Sequence, residues 1–345
     1  MARANAIAAK VRSLHGEQLD ERDYAELLGR RNVPEIAAYL KNETHYKYAL
    51  RDVRENNVHR GQLEDLLRKD VFREVIKLYR YADRKEAAYY HLYIEENEIK
   101  VILETLRMMI SGRYDDAIIQ LPLFLKEFAS FDLMKIGAVR CFDDMLDVLA
   151  KTPYALLLAP YRQPKGEEND ISYTACEHAL MKHYYTKVMR TIDKIAKGKL
   201  QRDLRELHGM DIDLKNMEII YRLKHYYHAS GDVIRDSLYP FFTHVNSGQL
   251  EEMIAAQDDR SLLKLIRSTW YHLDIPDEAE VDIGWYMDAL RFQTSKRRLY
   301  YAQQASVMFG AYIVLQRTEL ANVTRVIEGI RYQVPAERIK SMLIY

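Results

Sequence analysis

Histidines at helical spacing come closest to a catalytic or metal-binding pattern in this sequence. His225 and His228 stand three residues apart, so one helix face could present both imidazoles to a metal ion. His178 and His183 stand five apart, a spacing that suits a shared ion poorly. Both pairs also fit histidines that form ordinary hydrogen bonds at the surface. A metal hydrolase is therefore an alternative, and we expect no metal site.

Pairs of adjacent acids could in principle supply the two carboxylates of acid–base catalysis. They are Glu95–Glu96, Asp115–Asp116, Asp143–Asp144, Glu167–Glu168, Glu251–Glu252 and Asp258–Asp259. Neighbours on a helix point about 100° apart, so adjacency does not make them share a proton. We interpret these pairs as solvated helix faces.

The basic residues between Arg190 and Arg205 are interrupted by Asp193 and Asp203. Mixed charge of this kind is typical of a solvated helix, with docking of an acidic partner as the alternative.

Motifs that would anchor an enzyme are missing from the sequence. There is no GxGxxG or GxxxxGK[ST] phosphate loop, no GxSxG elbow and no HExxH pair. Cys141 and Cys176 have no metal-ligand spacing, and we expect two free, buried thiols in a reducing compartment. The sequence predicts no catalytic residue, no cofactor and no small-molecule substrate.

Composition indicates the elements that must position these residues. With 13 glycines and eight prolines in 345 residues, the chain has fewer turn formers than the usual about 7% and 5%. A length of this size predicts more than one hydrophobic core. We predict an all-α protein of two or three units.

Charge and hydropathy exclude further classes of protein. The 51 basic and 51 acidic residues cancel, so no overall field favours nucleic acid or anionic lipid. The longest apolar run, Ala305–Leu315, is far shorter than the roughly 20 residues of a membrane-spanning helix. The charged first residues do not resemble a signal peptide, and we expect a cytoplasmic location.

A helical pattern recurs along the chain. Its apolar residues follow one helix face in each copy: Ile99, Ile102, Leu103 and Leu106; Met217, Ile220 and Tyr221; and Val323, Val326, Ile327 and Ile330. Other landmarks share an offset of 119 residues, namely Pro34 with Pro153, and Ser111–Gly112 with Ser230–Gly231. Each proline is expected in a first helical turn, and each Ser–Gly pair in the turn that ends a striped helix. The sequence predicts three similar helical repeats, at residues 1–119, 120–238 and 239–345.

Polar residues recur beside these stripes. Glu98, Asn216 and Asn322 each begin a stripe, and Arg107 and Arg331 follow nine residues after the first and the last of them. Since catalysis would not need the same group three times, we predict structural roles, as helix caps or as hydrogen bonds between repeats.

Two further features carry local predictions. The connection at 272–280 offers Asp274 or Asp277 as a helix cap. Of the 26 tyrosines, some form doublets beginning at residues 89, 184, 226 and 300, which do not align between repeats. The doublets are suited to solvent or partner surfaces, and core packing is an equal alternative.

The repeats resemble the family formed by the C subunit of the V-type (A-type) ATP synthase, which includes the d subunit of V-type ATPases. The segments that carry the likeness are EENEIKVILETLRMMISGR and ELANVTRVIEGIRYQVPAERIKSMLI. Within the second, the matching positions are Glu319, Asn322, Ile327, Gly329, Arg331 and Pro335. The resemblance extends over the whole chain, with a weaker middle copy.

This resemblance implies a non-catalytic rotor subunit built as a pseudo-threefold, funnel-like body of three helical repeats. Such a subunit lies peripherally on the cytoplasmic face of the membrane and joins the central stalk to the proteolipid ring. It transmits torque between ATP turnover and ion transport, and it binds no nucleic acid. The alternative is a soluble helical repeat scaffold that binds another protein.

Overall fold

The computed structural model describes residues 2–55, 58–112, 121–163, 170–276 and 282–345. Within these ranges the regular elements are all helices, and no strand is formed. The prediction of an all-α protein is confirmed.

Sixteen α-helices lie within the described residues. They are α1 (Ala2–Gly16), α2 (Glu21–Leu28), α3 (Val33–Glu43), α4 (Arg60–Arg80), α5 (Ala87–Ser111), α6 (Leu133–Gly137), α7 (Phe142–Leu149), α8 (Pro153–Leu158), α9 (Tyr173–Ile195), α10 (Gly198–His225), α11 (Gly231–Asp236), α12 (Ser247–Ala255), α13 (Asp259–Arg267), α14 (Ile283–Tyr301), α15 (Ala305–Arg331) and α16 (Ala336–Ser341). Short 3₁₀ turns occupy His45–Lys47, Leu123–Leu125 and Ala159–Tyr161.

Local sequence explains where several helices begin. Pro34 and Pro153 lie in the first turns of α3 and α8, as predicted, where the missing N–H of proline has no helical partner to lose. The side chains of Asn32, Thr152 and Asp258 cap α3, α8 and α13 by accepting backbone N–H groups of the first turns.

Some predicted boundaries need correction. Asp282 caps α14 through the Trp285 N–H, so Asp274 is not the cap, while Asp277 lies outside the described residues. Gly112 ends α5 in the left-handed conformation, as predicted. Ser230 instead begins α11 as its N-cap, because its hydroxyl can accept a first-turn N–H.

The chain folds into two compact units, one made of residues 1–83 and 196–345 and the other of residues 84–195. These boundaries differ from the three-part division at residues 119 and 238, which stays a prediction.

Helix α15 organises the first unit. It packs against α1, α2, α3, α4, α10, α14 and α16. Val323, Val326 and Ile327 are fully buried there in a core shared with α2, α3 and α4. A second core in this unit forms where Met217 and Ile220 of α10 meet α12 and α13. Two of the predicted stripes are therefore buried, as expected of core faces.

Helices α5 and α9 form the main packing of the second unit, and α6, α7 and α8 complete it. Ile99, Ile102 and Leu106 of the first stripe are buried. Cys141 and Cys176 are buried and free, as predicted, and burial raises the pKa of Cys176 to about 11. No helix in the described part of the chain is long and apolar enough to cross a membrane.

Candidate functional site

Glu98 lies inside α5 rather than at its end, and only 2% of its surface is exposed. Its carboxylate accepts the backbone N–H of Ser130 and, at 2.7 Å, the hydroxyl of Tyr154. Burial, together with the charge of Glu98, raises the pKa of the Tyr154 hydroxyl. Ser130 precedes α6 and Tyr154 lies in α8. Glu98 thus fixes the segment that follows α5, and we name these three residues the Glu98 cluster.

Asp213 builds a second cluster of the same kind on α10. Its oxygens accept backbone N–H groups from Thr243, His244 and Val245 at 3.2, 2.8 and 3.3 Å. They also accept the hydroxyl of Tyr271 at 2.8 Å. Burial raises the pKa of Asp213, although these hydrogen bonds oppose the change. These five residues form the Asp213 cluster.

Glu319 builds the third cluster on α15. It accepts the Leu19 N–H at 2.7 Å and the Tyr46 hydroxyl at 2.8 Å. His45 Nε2 lies 2.9 Å from the same carboxylate. Burial lowers the pKa of His45, but the hydrogen bond and charge of Glu319 outweigh it, so the pKa is raised above 6.5. Glu319, Leu19, His45 and Tyr46 are the Glu319 cluster.

The three clusters share their chemistry. In each, a buried carboxylate on a long helix accepts both a backbone N–H and a tyrosine hydroxyl from another segment. A buried carboxylate satisfied in this way holds its segment firmly, because breaking the contact would leave a charge unpaired. Such an arrangement positions chain segments.

Asn216 and Asn322 share a different contact. Asn216 donates to the Tyr239 carbonyl at 3.0 Å and accepts its N–H at 2.8 Å. Asn322 does the same with Ile344, at 2.6 and 3.1 Å. Both asparagines are fully buried within helices. The contacts of Glu98 therefore resemble those of Asp213 and Glu319. They differ from the contacts of Asn216 and Asn322, with which the sequence pattern groups Glu98.

The two arginines of the pattern are exposed. Arg107 donates to Glu104 at 2.7 Å and to the hydroxyl of Tyr173 at 3.0 Å. Arg331 lies over the ring of Tyr332, 5.4 Å from its centroid. These contacts are local, and a common role for the two arginines stays a prediction.

The candidate metal-binding histidines lie on α9, at the end of α10 and just beyond α10. His225 Nδ1 lies 2.6 Å from Asp259, and the His225 ring stacks on Tyr221. His228 lies beyond the end of α10 in a left-handed conformation, with φ of 47°. Burial and the nearby Lys187 lower the pKa of His183. Among the described residues, no three histidine, cysteine or acidic side chains are grouped as metal ligands.

One pair of acids differs from the predicted solvated face. Glu95 and Glu96 are both buried, because α9 packs over this part of α5. Lys187 lies 2.7 Å from Glu95, and the Tyr184 hydroxyl donates to Glu96 at 3.2 Å. Asp115–Asp116 and Glu167–Glu168 lie outside the described residues.

The tyrosine doublets divide into two classes. Tyr89–Tyr90 and Tyr184–Tyr185 are buried, in agreement with the alternative of core packing. Tyr226–Tyr227 and Tyr300–Tyr301 are exposed, in agreement with the alternative of solvent or partner surfaces. The buried doublets lie within the packed lengths of α5 and α9, whereas the exposed ones lie at or beyond helix ends.

The last turns of α14 carry an exposed surface of mixed chemistry. Lys296, Arg297, Tyr300 and Tyr301 follow one side of the helix, since the members of each i, i+4 pair are neighbours there. Both tyrosines are 76% exposed. Lys296 and Arg297 make no ion pair with the described carboxylates. We name these four residues the α14 surface.

Sequence reasoning missed Asp213 as a site residue and did not connect the acids with tyrosines. A signal was present in the spacing, because Glu98, Asp213 and Glu319 stand 115 and then 106 residues apart. Their tyrosine partners are spaced similarly along the chain, but only structure shows that the last acid meets the first tyrosine.

Comparison with known proteins gives matches over most of the chain. The family described as ATP synthase (C/AC39) subunit matches residues 7–342. The C subunit of the A-type ATP synthase of Archaeoglobus fulgidus is 21% identical over 98% of this chain and 95% of its own length. The C subunit of the A-type ATP synthase of Methanosphaera stadtmanae is 25% identical over 78% of this chain and 66% of its own.

Proposed function

The chain belongs to the ATP synthase (C/AC39) subunit family, and from this membership we propose that it is a non-catalytic rotor subunit of a V-type (A-type) ATP synthase or ATPase. In this role it links the central stalk to the membrane proteolipid ring. It transmits torque between ATP turnover and ion transport, and it lies peripherally on the cytoplasmic face of the membrane.

The family match over residues 7–342 is the observation that carries this proposal. The internal contacts support it, because a part that transmits torque must resist deformation. Close-packed helices have low compressibility. The acids of the three clusters add hydrogen bonds that fix flanking segments to the long helices.

The exposed tyrosines of the α14 surface are candidate contacts for the partner subunits. Tyrosine is enriched at protein interfaces because it combines a large apolar ring with a polar hydroxyl. The α14 surface adds two cations that pair with no described acid, which suits a partner with acidic side chains. A lipid partner is less well supported, since membrane-binding basic clusters usually have about four to eight cations.

Affinity purification with the tagged full chain tests the proposal. Central stalk subunits and the proteolipid ring should co-purify with it from detergent-treated membranes. Co-purification of an unrelated soluble protein without either of them would contradict the proposal and favour a helical scaffold.

A further inference from the structure

We propose that the Glu319 cluster is a proton-sensitive clasp that closes the first segment of the chain onto its last long helix. The Glu98 and Asp213 clusters are the same clasp, in which the described contacts of the carboxylate are backbone N–H groups and a tyrosine hydroxyl. The geometry of the three acids supports the equivalence, and His45 distinguishes the Glu319 cluster from the other two.

Equivalence follows from the matching donors. Each acid receives a backbone N–H from a residue before a helix or turn, and a tyrosine hydroxyl from further along the same segment. The N–H donors include Leu19, Ser130 and His244, and the tyrosines follow them by 27, 24 and 27 residues. The three hydroxyl contacts measure 2.8, 2.7 and 2.8 Å.

The three clasps differ in whether the held segment follows or precedes the helix that carries the acid. Glu98 and Asp213 hold segments that follow their own helices. Glu319, by contrast, holds residues that precede it by 300 and 273 positions. Leu19 and Tyr46 therefore stand to Glu319 as Ser130 and Tyr154 stand to Glu98.

His45 makes the closing clasp different. Its imidazole contacts the Glu319 carboxylate directly, whereas the ring of His244 in the Asp213 cluster contacts Glu206. The titratable groups that act on the pair include Asp70 on α4, Glu17 after α1, Tyr24 on α2 and Tyr46, and Tyr312 of α15 acts on Tyr46. Protonated His45 is therefore stabilised by acids, and the nearby cations of α4, Arg73 and Lys77, act on Asp70.

The direction of the pH effect follows from the raised pKa of His45. A histidine whose pKa is higher in the folded protein contributes stability that is fully present below its unfolded pKa. That contribution is lost as the pH rises through the folded pKa. The closing clasp should thus weaken on going from pH 6 to pH 9.

Hydrogen exchange of the full chain measures this clasp directly. Protection factors, corrected for intrinsic exchange at each pH, are compared for peptides that contain the amides of Leu19 and Ser130. The ratio of Leu19 protection to Ser130 protection should fall by at least about threefold between pH 6 and pH 9. An unchanged ratio of Leu19 protection to Ser130 protection between pH 6 and pH 9 would overturn the proposal of a proton-sensitive clasp.

Two variants complete the test. His45→Gln keeps an N–H donor near the position of Nε2 but does not titrate, so its Leu19-to-Ser130 ratio should be independent of pH. A ratio that still falls as in the wild type would overturn the role of His45. Tyr154→Phe should lower protection at Ser130 and leave Leu19 unchanged, and loss at both sites or neither would overturn the equivalence of the clasps.

Discussion

At the scale of single residues, several buried polar side chains of this chain pair with backbone groups of another segment. Asn322 illustrates this, because one amide pairs with both the N–H and the C=O of Ile344. The cost of losing such a side chain is set mainly by the groups left unpaired.

Replacing Asn322 by alanine should lower the free energy of unfolding by about 2–4 kcal/mol, since two buried backbone groups of Ile344 lose their partner. Chemical denaturation monitored by circular dichroism measures the change. Gln303→Ala is the control, because Gln303 is exposed outside the helices and its loss should cost less than about 0.5 kcal/mol. Equal losses of unfolding free energy in the two variants would contradict a stabilising role for the hydrogen bonds of Asn322.

The two cysteines offer a second residue-scale prediction. Burial raises the pKa of Cys176 to about 11, so its thiol stays protonated and shielded at pH 8. Native protein should react with a thiol reagent at a small fraction of the rate seen in denaturant, where both Cys141 and Cys176 are accessible. Rapid stoichiometric labelling of the native protein would be inconsistent with the buried positions.

At the scale of elements, close approach between a helix and a connecting segment depends on small residues. A Cβ added to Gly209 in α10 would lie 1.8 Å from Thr243 Oγ1 and 2.9 Å from its Cβ. Thr243 also donates its N–H to Asp213. Gly209 therefore lets the Asp213 cluster form.

Gly209→Ala should destabilise the protein by about 1–3 kcal/mol despite the better helix propensity of alanine, because Thr243 must move. Gly61→Ala in α4 is the matched control, since open space surrounds that position. It should be neutral or stabilise by up to about 1 kcal/mol. Thermal unfolding of both variants measures the difference, and equal melting temperatures would refute the steric argument.

The sequence predicts elements better than it predicts contacts between them. The stripe with Ile99 and the first-turn position of Pro34 depend on local spacing, and both are confirmed. The burial of Glu95 could not be predicted, because its partner Lys187 comes from α9. The Glu319 cluster was missed for the same reason, since its acid and tyrosine are 273 residues apart.

At the scale of the whole molecule, zero net charge leaves recognition to local surfaces. Family membership indicates that those surfaces meet other ATP synthase subunits, and the α14 surface is the best-defined candidate. Exposed aromatic residues with adjacent cations resemble the energetically important parts of protein interfaces.

Joint replacement of Tyr300 and Tyr301 by alanine should weaken binding to the partner subunit at least about tenfold while leaving the unfolding midpoint nearly unchanged. Surface plasmon resonance with the purified partner subunits measures the affinity. The matched control is Tyr226→Ala with Tyr227→Ala, the other exposed doublet. Undiminished binding by the first variant would remove the α14 surface from the interface.

We propose that this chain joins the stalk to the ring, and reconstitution tests this role most directly. Membranes that contain the proteolipid ring but lack this chain are mixed with purified central stalk subunits, and the stalk that sediments with them is measured. We predict that the stalk sediments only when the chain is added. Equal sedimentation with and without the chain would contradict the account.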